Sequence, residues 1–191
     1  MSNIRTFIAV QPSERVIRNV EQVIQRLQST GAAYKWVPPQ NLHVTLNFVG
    51  NVVDTEVPEF CRSFQQAIAG VPRFELSLHG VSAFPDVEQP RTIWMGVDEG
   101  TTELKALYRT IETFLSYWGV NKDRNEYVPH LTLGRIQRGG RWNSPLLDAM
   151  VRLRKHDGGS CHVDHVIVFS SFSERGAPSY TPMASVRLAR S

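Results

Sequence analysis

Two tetrapeptides far apart in the chain nearly spell each other: His43-Val44-Thr45-Leu46 and His130-Leu131-Thr132-Leu133. Successive side chains of a strand alternate between its faces, so the His and the Thr of each segment point the same way. Val44, Leu46, Leu131 and Leu133 then point the other way, into a core. Each segment therefore reads as a buried strand offering one imidazole and one hydroxyl. A lone His on an apolar strand is more often a packed core residue than a chemical group. Two such strands, at equivalent places in two halves of one chain, are poorly explained by coincidence.

The sequence around the two segments repeats as well. Residues 5–10 read as a strand, and Ser13 caps a helix with Val16, Ile17, Val20, Val23, Ile24 and Leu27 on one face, stopped by Gly31. Trp36-Val37-Pro38-Pro39 reads as a rigid connection, residues 41–49 as the first His/Thr strand, and Asp54 to Gly70 as a second helix. A half-buried strand is expected over 73–81. The second half gives a strand over 91–97, a helix from Thr101 to Gly119, the second His/Thr strand over 128–136 and a short helix opened by Ser144-Pro145. Strands over 161–169 and 180–188 close the chain. The pairs Gly139-Gly140 and Gly158-Gly159 read as flexible loops.

The order strand, helix, His/Thr strand, helix, strand thus occurs twice. The period, roughly 90 residues, is too long for a solenoid and fits an internal duplication. The expected fold class is α+β: one domain over 1–191, built of two lobes interleaved around halves at roughly 1–90 and 91–191 and related by a pseudo-twofold axis. The cleft between the lobes would hold His43, Thr45, His130 and Thr132.

A length of 191 residues suits one such domain. No apolar run approaches the roughly 20 residues of a membrane span, and the first residues do not read as a secretory signal. Two cysteines, Cys61 and Cys161, make neither a disulfide framework nor a zinc site. A cytoplasmic protein with no membrane partner is expected, and a monomer. Charge is uneven: residues 1–99 hold 8 basic against 10 acidic side chains, residues 100–191 hold 13 against 8. Arg135, Arg138, Arg141, Arg152, Arg154 and Lys155 face only Asp148 over 135–155. Such a stretch is either a solvated helix and loop or a surface that attracts a polyanion.

Opening a cyclic phosphate diester needs one group to take a proton from water and another to give one to the departing oxygen. His serves either role near neutrality, and Thr hydroxyls can donate to the non-bridging oxygens where charge develops. A His/His metal pair is the other chemical reading. The sequence offers no obvious carboxylate or Cys companion for it, and Thr is a poor ligand. Neither a metal nor a cofactor is expected. His79, His156, His162 and His165 read as structural or surface residues, the last two on opposite sides of one strand.

The chain resembles the 2H phosphoesterase superfamily, and within it the RNA 2′,3′-cyclic phosphodiesterases, also called 2′-5′ RNA ligases. Besides the two tetrapeptides, the resemblance rests on Arg5-Thr6-Phe7-Ile8-Ala9, on Trp36 followed by residues 41–50, on Phe84-Pro85, on Pro90-Arg91-Thr92-Ile93-Trp94 and on residues 129–135. It implies a bilobal α+β fold, each lobe a small antiparallel sheet with helices on its outer face. It also implies hydrolysis of an RNA 2′,3′-cyclic phosphate end to a 2′-phosphate, with His43 as proton donor and His130 as proton acceptor. Thr45 and Thr132 would hold the phosphate, Phe48 would offer a face to a base, Arg135 would add charge near the phosphate and Arg5, with Phe7, would border the cleft. Supporting the core remains open for Phe48, and supporting the fold for Arg5. Asn47 departs from the resemblance, standing where such proteins often have Lys. Reversible 2′–5′ joining of RNA ends and RNA or nucleotide binding without turnover are the alternatives.

Overall fold

Four α-helices interrupt nine strands along the described residues, each helix carrying the 3.6-residue apolar stripe that lays it on a sheet. A computed structural model describes residues 2–121, 126–174 and 177–190. The strands are β1 (Asn3–Val10), β2 (Tyr34–Trp36), β3 (Val44–Val53), β4 (Phe74–Phe84), β5 (Thr92–Val97), β6 (His130–Ile136), β7 (Asp157–Val163), β8 (His165–Glu174) and β9 (Ala177–Arg187). The helices are α1 (Glu14–Gln28), α2 (Val57–Ile68), α3 (Thr101–Tyr117) and α4 (Ser144–Leu153). Ser13 caps α1 by accepting from the Val16 N–H, and Asn143 caps α4 by accepting from the Leu146 N–H. The apolar stripes Val16, Val20, Val23, Ile24, Leu27 of α1 and Leu104, Leu107, Ile111 of α3 are buried, each such side chain contributing about 1.5–3 kcal/mol when fully withdrawn from water.

All strand pairings are antiparallel, in the order β7-β4-β5-β6-β3-β1-β8-β9, with β2 paired to β6. The fold is α+β and bilobal. One lobe, carrying His43, is β3-β1-β8-β9 covered by α2 and α3. The other, carrying His130, is β6-β5-β4-β7 covered by α1 and α4. Each half sends parts across: β4 and α1 of the first half build the His130 lobe, while β8, β9 and α3 of the second half build the His43 lobe. The pseudo-twofold axis relates β3 to β6, β1 to β5 and β4 to β8.

The lobes meet where β3 and β6 pair through Val44 and Leu131, both fully buried. Just beyond, each central strand carries one residue more than its neighbour. Thr45 and Asn47 pair with Ala9 and Ile8, leaving Leu46 extra. Thr132 and Gly134 pair with Trp94 and Ile93, leaving Leu133 extra. These bulges shift the alternation by one residue. They turn Phe48 and Arg135 toward the face that His43, Thr45, His130 and Thr132 share.

Several local expectations need correction. The rigid connection starts one residue later than expected: Trp36 ends β2 and lies on β6 opposite Gly134, where a Cβ would come within 2.7 Å of its ring. Residues 157–174 form two strands with a corner at Asp164, so His162 and His165 lie on different strands. Gly158-Gly159 is not a loop but part of β7. Gly158 is needed there because a Cβ would meet the Met95 sulfur at 2.7 Å and the Leu78 Cβ at 2.9 Å.

Candidate active site

His43 follows a short 3₁₀ turn over Pro39–Asn41 and sits one residue before β3. Its Nδ1 lies 2.7 Å from the Asn41 carbonyl oxygen. His130 opens β6, and its Nδ1 lies 2.7 Å from the Val128 carbonyl oxygen. A carbonyl only accepts, so both imidazoles carry their proton on Nδ1 and present Nε2 outward. The His43 Nε2 lies 3.0 Å from the Thr45 hydroxyl. Continued one residue either way, the Val44–Leu131 register sets His43 opposite Thr132 and Thr45 opposite His130. The four polar groups stand crosswise on one patch of sheet.

Each imidazole is set among aromatic rings. His43 lies 5.0 Å from the Phe7 ring centroid and meets the Tyr180 ring edge-on at 5.4 Å. His130 meets Phe84 edge-on at 5.1 Å and Trp94 at 5.8 Å. Burial pulls the His43 imidazole below its ordinary pKa; its Asn41 hydrogen bond pulls the other way, while the charge of Arg135 and the neighbouring His130 reinforce the fall. His130 is lowered by burial too, opposed by its Val128 hydrogen bond and reinforced by Arg135. Both groups therefore favour the neutral form more than a free imidazole does.

Two adjoining cavities open on this patch. One, of about 350 Å³, is lined by His43, Thr45, Thr132, Arg5, Phe48 and Arg135, among others. The other, of about 620 Å³, is lined by His130, Phe84, Tyr127, Glu112 and Asn47, again with Thr45 and Phe48. The residues named from the sequence for catalysis and substrate binding, His43, His130, Thr45, Thr132, Phe48, Arg135 and Arg5, thus each border one cavity or both. Phe48 is 66% exposed, so it is not a core residue. Arg135 donates to the Thr92 hydroxyl at 3.3 Å. Arg5 is exposed at the rim of the smaller cavity. Asn47 is buried, and its Oδ1 has no hydrogen-bond partner among the described residues.

Sequence reasoning missed the supports. Tyr127 donates to the Thr45 carbonyl at 3.0 Å, bridging the lobes, and stacks on Tyr108 at 4.4 Å; burial raises its pKa strongly. The Asn41 amide donates to the Pro178 carbonyl at 2.9 Å, tying the turn before His43 to β9. Tyr180 reaches His43 only because β8 and β9 join the first lobe, which no local pattern announces. Phe84 and Trp94 belong to recognisable sequence motifs, but their place around His130 follows from β4 and β5 lying beside β6. His162 pairs with Glu75 at 2.9 Å on the surface, and His79, His156 and His165 also lie outside both cavities. Among the described residues, no three His, Cys, Asp or Glu side chains gather as a metal site would require, and no helix is long and apolar enough to cross a membrane.

The sequence profile of the 2′-5′ RNA ligase superfamily matches residues 15–171. An RNA 2′,3′-cyclic phosphodiesterase of Methanothermobacter thermautotrophicus is 32% identical over 185 residues, covering 97% of this chain and 99% of that one. A protein of the same name from Aeropyrum pernix is 34% identical over 169 residues, covering 85% and 90%. Among solved structures, TT0787 of Thermus thermophilus is similar with a TM-score of 0.81 at 21% identity, over 96% of this chain and 97% of that one. Escherichia coli LigT complexed with 3′-AMP is similar with a TM-score of 0.75 at 21% identity, over 99% and 100%. At that identity the structural likeness speaks for the fold alone.

Proposed function

The chain belongs to the 2′-5′ RNA ligase superfamily, and on that premise we propose that it is an RNA 2′,3′-cyclic phosphodiesterase, opening cyclic phosphate ends to 2′-phosphate ends. The observation that carries this reading is the crosswise set: two imidazoles anchored at Nδ1 by backbone carbonyls, each with a Thr of the opposite segment across the seam. Binding alone would not call for two proton carriers on one patch.

His130 takes a proton from the attacking water, whose oxygen bonds to phosphorus. The bond from phosphorus to the 3′ oxygen breaks, and His43 gives that oxygen its proton. The phosphate stays on the 2′ oxygen. Thr45 and Thr132 donate to the non-bridging oxygens, and the Arg135 guanidinium offsets their charge. Burial leaves both imidazoles biased toward neutrality, so the proton that His43 must give is held there by the substrate itself. A bound phosphate diester is an anion, and an anion beside an imidazole raises its pKa. Phe48 offers a ring on which the terminal base stacks, and Arg5 borders the entrance.

Two imidazoles carry both proton transfers, so no metal is required. The lobes act together as one domain over residues 1–191, because neither lobe alone has a complete set, and one copy of the chain suffices. Incubation with a nucleoside 2′,3′-cyclic phosphate in EDTA tests this reading. A 2′-phosphate product is expected. No turnover, or turnover only after a divalent ion is restored, overturns it.

A further inference from the structure

The basic stretch after the second His/Thr strand is uncompensated in space as well as in sequence. Some surface charges on other faces pair, Arg18 with Glu14, Arg62 with Glu59 and Lys105 with Glu126. Among the described residues, the side chains of Arg26, Arg138, Arg141 and Arg152 have no hydrogen bond or ion pair, and all four are exposed.

These residues follow one path over the molecule. Arg135, at the smaller cavity, lies beside Lys35 of the edge strand β2. The chain then continues into the loop of Arg138 and Arg141, which is held to β2 by the Gln137 N–H on the Ala33 carbonyl. That loop leads to Asn143, whose amide donates to the Thr30 carbonyl at 2.9 Å, next to the end of α1. There a groove of about 560 Å³ opens between α1 and α4, lined by Arg26, Ser29, Thr30, Arg152 and His156, with Asp148 the acid among them.

We infer that this groove, reached from the cleft around the β2 edge, binds the phosphate backbone of the RNA strand whose cyclic end lies at His43 and His130. The inference rests on the proposed activity and adds to it that the substrate is a chain of several nucleotides. Unpaired arginines repel one another, and a polyanion relieves that repulsion while releasing its own counterions. The path begins at the reactive phosphate and turns an edge, which a single strand follows and a rigid duplex does not. The Ser29 and Thr30 hydroxyls at the groove wall donate to the Arg26 and Leu27 carbonyls and hold the end of α1 in place.

The test compares the wild type with the Arg26→Gln/Arg152→Gln double variant and with Asp148→Asn. Binding of a 12-nucleotide 3′-OH RNA is read by fluorescence anisotropy over a range of salt, without any turnover. For the double variant we expect weaker binding and a log–log salt slope shallower by about 1.4, or roughly 0.7 for each phosphate of a single strand that an arginine no longer neutralises. Asp148→Asn should bind more tightly, which a merely destabilised protein would not do. In turnover assays, the double variant should raise KM for an oligonucleotide with a cyclic end and leave a cyclic mononucleotide, too short to reach the groove, unaffected. RNA binding unchanged in the double variant overturns the inference, as does a loss confined to anionic phosphatidylserine vesicles or to inorganic phosphate. Groove-dependent RNA binding in a protein that turns over no cyclic phosphate would sustain the groove and refute the proposed activity instead.

Discussion

Val44 and Leu131 pair Cα to Cα across the seam between the lobes, with neither side chain exposed. Their neighbours on either side are the four polar groups of the site. The packing of two aliphatic side chains on the core face therefore sets the spacing of two imidazoles on the other. Leu131→Ala is expected to cost about 2–5 kcal/mol of stability through the lost burial and the cavity left behind. Urea unfolding measures that cost. Because the seam relaxes, kcat should fall as well, even where the variant remains folded.

His43→Ala and His130→Ala should each lower kcat by roughly 10²–10⁴, the range for losing a general acid or base. Both side chains line cavities, so circular dichroism should show the fold kept. A p-nitrophenyl phosphodiester, whose leaving group needs no proton, separates the roles. It should restore much of the rate to His43→Ala and little to His130→Ala. The reverse pattern would exchange donor and acceptor.

Thr45→Val and Thr132→Val keep a β-branched strand residue and remove one hydroxyl each. Each should raise the barrier by at most about 2.7–4 kcal/mol, the value of one preorganised donor at a developing charge. The two need not be alike. Thr45 also touches the His43 Nε2, so its loss should shift the pH profile, and Thr132→Val should leave the limbs in place. Steady-state kinetics over a pH series reads both effects.

The pKa shifts fix a sign for stability. Each imidazole is pulled below its ordinary value of about 6.5 in the folded state. The folded protein then binds fewer protons than the unfolded chain once the pH drops below that value. The stability from keeping the imidazoles neutral is complete above about pH 6.5 and is lost as the pH falls through the lowered folded values. Tm should decline on acidification below about pH 6.5, and less steeply in the His43→Ala/His130→Ala double variant. A parallel decline in both proteins would mean that the imidazoles do not carry the effect.

Local patterns carried much of this molecule. The stripe from Val16 to Leu27 and the Ser13 cap announce α1, and the alternation around His43 and His130 places an imidazole and a hydroxyl on one face. Strict alternation also carries an error: it keeps Phe48 and Arg135 off the cleft face. Phe48 and Arg135 reach that face only because Leu46 and Leu133 are extra residues, and a bulge is created by the neighbouring strand rather than by the strand's own sequence. The turn at Asp164 was invisible because a single residue separates β7 from β8. Gly158 looked like a loop because its lack of a side chain serves Met95 and Leu78, residues distant in sequence. Tyr180, Trp94 and Phe84 belong to the same class. Their place beside the imidazoles depends on which strands become neighbours, information held in the whole sheet.

The crossing of β4 and β8 between lobes makes each half of the chain a piece with an open socket and a spare strand. Such a piece, expressed alone, cannot close upon itself, but it matches a second copy of itself by domain swapping. A self-associating ancestor of half this length is therefore mechanically sufficient for the architecture: one His/Thr segment per copy, a catalytic patch at the dyad, and a later fusion that turned an encounter between two molecules into a fold. The two halves are nonetheless unequal pieces, since the outermost strands β7 and β9 both come from the second half.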